Sequence, residues 1–170
     1  MSREFEDDLH VAILAKDIAS IKTLLAEGVD AQALFKRHSL STVHHAVFVN
    51  SVEIVSLLLD HGAEVNARNV AGYTPLHWAA RAGKMACARL LLERGADLDA
   101  VSNKGETVVD MAIEGGTLGV DNANEEMIKM LRNHPAAQEK IKKEKEDATR
   151  RCHEENIRRL DILVPRRKRL

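Results

Sequence analysis

A chain of 170 residues, 45% hydrophobic and 30% charged, is sized for one ordinary domain with a modest extension. Its two cysteines are too few for a disulfide framework or a cysteine metal cluster and read as reduced thiols of an intracellular protein. No apolar run is long enough to cross a bilayer, and the acidic start "MSREFEDDLH" lacks the apolar core of a signal peptide. The formal net charge of -1 conceals an asymmetry: from Asn133 onward twelve Lys/Arg face seven Asp/Glu, so an acidic body carries a basic tail.

The first predicted element begins at "DDLHVA". Asp7 stands as a helix N-cap with His10 three residues on, and "IKTLLAEGVDA" then reads as a second helix ended by Gly28. The same order returns in "KRHSLSTVHHA", where Ser41 and His44 take the cap and third positions. "EIVSLLLDHGAEVNA" supplies the second helix, with Ile54, Val55, Leu57 and Leu58 as its apolar stripe and Gly62 after it. Here Ser39 replaces the expected turn glycine and Thr42 replaces proline, so this turn is expected to be irregular. Asn50 occupies the left-handed position that Gly83 fills one copy later.

The third copy, "GYTPLHWAARAGKMACARLLLERGADLDA", is the most regular. Thr74 caps, Pro75 suits the first helical position because its missing amide would be orphaned anyway, and His77 is placed to bond back to the threonine. In the fourth, Thr107 and Asp110 make an ordinary capping box, followed by an insertion of about seven residues and then "EEMIKMLRN", which Asp121 or Asn124 would cap. Ala46, Ala79 and Ala112 lie thirty-three residues apart, with Ala12 slightly further upstream. A unit of that length cannot bury enough apolar surface alone, so the copies are expected to stack.

These units resemble ankyrin repeats, on "GYTPLHWAARAG" with "LLLERGADLDA" and their echoes over about three quarters of the chain. The resemblance implies an all-α solenoid of stacked helix-turn-helix units with hairpin-like turns, followed by a C-terminal helix. The expected layout is a repeat domain over 1–134 (copies near 1–35, 36–68, 69–101 and 102–134, the insertion near 115–124), then a charged helix and basic tail over 135–170. It also implies protein binding through the turn tips and the exposed side of the first helices. Carried over by position, the candidate surface is Arg37, His38, Leu40, Phe48, Val49 and Arg68 from the second copy. The third contributes Val70, Tyr73, Arg81 and Val101, and the fourth Asn103, Lys104, Glu106 and Glu114. Asn66 matches the context in which family members are hydroxylated.

Catalytic and metal readings fare poorly. Adjacent helical side chains diverge by about 100°, so His44 and His45 chelate one ion badly. "EGGTLG" lacks the lysine and preceding strand of a phosphate loop, and "DNANEE" lacks calcium-loop spacing. Cys87 sits in an apolar slot. The expectation is a non-enzyme with no cofactor and no metal.

The tail alternates acid and base four residues apart (Glu139–Lys143, Glu146–Arg150, Asp147–Arg151, Glu154–Arg158, Glu155–Arg159), a pattern that supports a solvated helix. It ends in Arg166, Arg167, Lys168 and Arg169, a cluster suited to import receptors, nucleic acid or anionic lipid, but without interleaved aromatics. Taken together, the sequence points to an intracellular adaptor, scaffold or regulatory subunit, monomeric, cytoplasmic or nuclear, that binds another protein. The alternative is a nuclear regulator whose basic tail contacts nucleic acid or import receptors.

Overall fold

The computed structural model describes residues 2–32, 34–35, 40–116 and 123–135, and 137–139, 142–143, 146–147 and 150–151 of the C-terminal segment. The chain divides into two compact units, Met1–Leu131 and Arg132–Leu170. The first unit contains the repeats. Its helices come in pairs: α1 (Ser2–Ala15) with α2 (Ile18–Ala26), α3 (Thr42–Phe48) with α4 (Val52–Asp60), α5 (Pro75–Arg81) with α6 (Met85–Glu93), and α7 (Val108–Gly116) with α8 (Ala123–Asn133). First helices pack on first helices (α1 on α3, α3 on α5, α5 on α7), and α4 packs on α6. This is the expected stack, with one apolar seam rather than a central core. Leu9, Ile21, Val43, Ile54, Leu76, Leu91 and Met127 are fully buried along it.

Local chemistry sets the helix ends. Ser41 and Thr74 each form a capping box with the histidine three residues on, and Pro75 occupies the first turn of α5. Asp17 caps α2 by accepting from the Ser20 amide at 3.2 Å, and Ser51 caps α4 through the Ile54 amide at 3.4 Å. Asn50 takes φ 55 where Gly83 takes φ 62, which confirms its left-handed role; Lys16 does the same in the first repeat with φ 56. Such a conformation costs a non-glycine residue about 1–2 kcal/mol, offset here by the tight connection it permits between paired helices.

Several expectations need correction. Helix α1 starts at Ser2 and runs through Asp7, which is therefore not its cap; "SREFED" contains no glycine or proline to stop the helix earlier. Asn124 lies inside α8, and its amide donates to the Ala112 carbonyl at 3.1 Å, tying the fourth repeat's helices together across the insertion. The second turn is flanked by a small antiparallel ladder, β1 (Leu34–Phe35) on β2 (Leu40–Ser41), while its residues 36–39, Ser39 included, lie outside the described residues. Asp121 falls outside the described residues.

In the second unit the described residues between 137 and 151 are helical. Asp147 pairs with Arg150 at 2.6 Å, while Arg151 reaches the Asp147 carbonyl at 3.4 Å instead of its carboxylate. Glu154, Glu155, Arg158 and Arg159 lie outside the described residues.

Candidate protein-binding surface

Two buried histidines hold the scaffold that any binding surface depends on. The Ser41 amide donates to His44 Nδ1 at 3.3 Å, which makes that nitrogen an acceptor and places the ring proton on Nε2. Nε2 then donates to the Tyr73 carbonyl, 3.0 Å away in the next repeat. His77 repeats the arrangement: the Thr74 amide donates to Nδ1 at 3.2 Å, and Nε2 lies 3.3 Å from the Glu106 carbonyl. In the fourth repeat Asp110 accepts from the Thr107 amide and hydroxyl at 2.9 and 2.7 Å, so the cap survives without a forward donor. Burial pushes the His44 imidazolium down to about 4 and lowers His77 as well. Both rings are neutral structural parts at neutral pH.

The turns are stitched to one another by a second set of bonds. Arg68 donates to the Val101 carbonyl at 2.7 Å, the Asn103 side-chain amide to the Val70 carbonyl at 2.9 Å, and the Tyr73 hydroxyl to Glu106 at 2.5 Å. Hydrogen bonds from Tyr73 and Ser102 hold the Glu106 carboxyl below its ordinary range, and the same carboxylate pushes the Tyr73 phenol up. Closer to the helices, Gln32 donates to the Gly62 carbonyl at 2.8 Å. Asn66 makes the equivalent bond to Gly95 at 3.4 Å and also accepts from the Asp97 amide at 2.8 Å. Gly72 is indispensable to this seam. It has φ +82, and a Cβ there would run into the Asn103 side chain and lie 2.7 Å from the Asn103 backbone nitrogen.

The candidate residues therefore divide. Phe48 and Val70 project into solvent, at 65% and 73% exposure, and Val101 is exposed as well. Arg81 and Glu114 are exposed at equivalent positions of successive first helices, with a loose 3.9 Å ion pair between them. Lys104 and Asn103 are exposed; Val49 is half-buried against the core. Leu40 departs from expectation: as part of β2 it is 9% exposed and belongs to the packing. Tyr73, Glu106, Arg68 and Asn103 carry bonds between turns, so they are structural whatever else they contact. Sequence reasoning missed this stitching. The signal was available, because Arg68/Val101, Val70/Asn103 and Tyr73/Glu106 are each one repeat period apart. Arg37, His38 and Arg166 to Arg169 lie outside the described residues.

Among the described residues no group of three His, Cys, Asp or Glu side chains is arranged to hold a metal ion. Cys87 is buried, with its thiol pushed up by that burial, which leaves little reactive thiolate. No described helix is long and apolar enough to cross a membrane.

The family model for ankyrin repeats (3 copies) matches residues 9–102 and 43–145. The chain belongs to the ankyrin-repeat family. The mouse B-cell lymphoma 3 protein homolog is 40% identical over 75 residues, 44% of this chain and 17% of that protein. E3 ubiquitin-protein ligase KEG from Arabidopsis thaliana is 39% identical over 67 residues, 39% of this chain but 4% of the ligase. The solved ankyrin repeat domain of Bcl-3, described as a unique member of the IkappaB protein family, superposes with a TM-score of 0.59 at 35% identity. That alignment covers 61% of this chain and 45% of the solved one. The chain thus spans less than a fifth of these two curated relatives, and the shared part is the repeats. Ankyrin repeats are protein–protein interaction modules, generally without catalysis of their own.

Proposed function

We propose that this ankyrin-repeat protein binds a partner protein along the exposed side of its first helices and the adjoining turn tips, with Phe48, Val70 and Arg81 as the central contacts. One observation carries the reading: Leu14, Phe48, Arg81 and Glu114, at the same position of four successive repeats, are all exposed on helices whose opposite sides are buried. A repeated slot that tolerates leucine, phenylalanine, arginine and glutamate is not specified by packing. Its chemistry is free to be chosen by a partner. Rigid helices present these groups already ordered, so association loses little conformational entropy. Aromatic and arginine side chains are the usual anchors of such surfaces.

The chain acts as an adaptor or regulatory module. The relatives include a ligase and, in mouse, a 2-5A-dependent ribonuclease, but the matching stretches make up 4% and 10% of those proteins. The likeness supports shared recognition rather than shared catalysis.

The test is affinity capture with full-length protein against its Phe48→Glu and Arg81→Glu variants. Partners retained by the unmodified chain should be lost from both variants, whose melting midpoints stay unchanged. Retention of every partner by both would refute this surface.

A further inference from the structure

The first repeat exposes a face that the other repeats bury. A trough of about 570 Å³ opens between α1 and α2, lined by Val11, Ala15 and Leu24 together with Asp8, Asp17 and Glu27. Equivalent positions show what this face is. Val11 is 63% exposed, whereas His45 and Met111, its counterparts in the second and fourth repeats, are buried and Trp78 in the third is half-buried. Leu24 is only half-buried where Leu58, Leu91 and Leu131 are fully buried. These are the positions each repeat turns toward the repeat before it.

Two of those positions have changed character. Ser20 stands where Ile54, Cys87 and Met127 are buried, and Asp8 stands where Thr42, Pro75 and Val108 are. An apolar helix pair of the kind stacked elsewhere would strip water from the Asp8 carboxylate, at a cost of several kcal/mol unless it were paired. The trough keeps apolar lining residues but demands cations beside its carboxylates. It contains none of its own: all of its charged lining residues are carboxylates. Hydrogen bonds from Ser20 hold Asp17 below its ordinary range, so it remains anionic well below neutrality.

One stretch of this chain has the complementary chemistry. Residues 157–169 place Ile157, Leu160 and Leu163 at a three-residue spacing, with Arg158, Arg159 and four consecutive cations at 166–169 against a single carboxylate, Asp161. We propose that the trough is a docking site for the cationic segment 157–169 of a second copy of the chain. Apolar side chains of that segment cover Val11 and Leu24, while its arginines pair with Asp8, Asp17 and Glu27. The contact joins two different surfaces, so copies associate head to tail, either in a closed reciprocal pair or in a longer row. On this proposal the chain self-associates, where the sequence leads us to expect a monomer.

The experiment measures molar mass in solution by light scattering over about 1–100 μM full-length protein, since association follows mass action. Val11→Glu spoils the trough at a well-exposed position, so the fold should persist, and circular dichroism checks it. Arg158→Glu/Arg159→Glu spoils the segment. Unmodified protein should rise in mass with concentration, and each variant alone should stay monomeric. An equimolar mixture of the two variants should recover a one-to-one pair, because one variant retains the segment and the other retains the trough. Constant monomer mass for the unmodified chain, as expected if the trough stayed empty or took up the chain's own segment, would overturn the proposal. So would association untouched by either variant, or a mixture that fails to pair.

Discussion

Acid should loosen the stack through His44, with a size and a pH window set by its burial. In the folded chain the ring is neutral, accepts from Ser41 and donates to the Tyr73 carbonyl. Protonation would put a second donor against the Ser41 amide and a charge into a fully buried position. The folded imidazolium is accordingly depressed to about 4 from an ordinary value of 6.5. Between those values the unfolded chain binds a proton that the folded chain refuses, so stability falls as pH drops below 6.5 and the loss levels off below about 4. At 1.36 kcal/mol per unit, lowering the pH from 7 to 5 should remove about 2 kcal/mol of unfolding free energy through this group alone. His77, also depressed by burial, adds to the loss in the same direction. The carboxylates with lowered values (Asp17, Glu106 and Asp110) start from 3.8 or 4.5 when unfolded, and their contributions are lost only at lower pH. The range from pH 7 to 5 therefore isolates the histidines. Urea titrations at half-unit steps read the slope, and His44→Gln should flatten it while lowering stability at pH 7 through the weakened cap. A His44→Gln chain with the same slope as the unmodified protein would refute the assignment.

Glycine substitutions should separate conformational strain from crowding. Gly62→Ala meets open space at φ +87 and should cost only the left-handed penalty of about 1–2 kcal/mol. Gly72→Ala, at nearly the same φ but against Asn103 and Arg68, should cost clearly more, as thermal melts will show. Gly115→Ala would drive a methyl group into the Arg81 carbonyl of the neighbouring helix and should be among the most damaging single changes. Tyr73→Phe should lower the melting midpoint by removing the Glu106 bond, whereas Arg81→Ala, whose ion pair with Glu114 is long and exposed, should leave it within error.

The stack was legible in the sequence because each repeat writes it twice, once as cap chemistry and once as apolar spacing. Thr74–His77 and Ser41–His44 needed only the three-residue interval to be read as caps. The start of α1 was misjudged for the same reason. Asp7 and His10 have that interval too, but nothing upstream ends a helix, and the pattern encodes a bond rather than a boundary. The candidate surface was less legible. Exposure could be inferred by counting positions, which located Phe48, Val70, Arg81 and Glu114. Bonding between turns depends on how closely two copies approach, which a single copy does not reveal. Tyr73 and Arg68 look like free anchors in one repeat and become fasteners once the next stands beside it. Leu40 failed on a still more local scale, since its two-residue ladder has too little alternation to announce a strand.

The Nε2 bonds of His44 and His77 both point the same way along the molecule, from a ring in one repeat to a backbone oxygen in the following one. Peeling the fourth repeat away would take the Glu106 carbonyl from the buried His77 ring, while peeling the first would leave the His44 and His77 bonds in place. Mechanical unravelling should therefore be directional, with the amino-terminal pair the first to fray and the carboxy-terminal pair the one whose departure commits the rest.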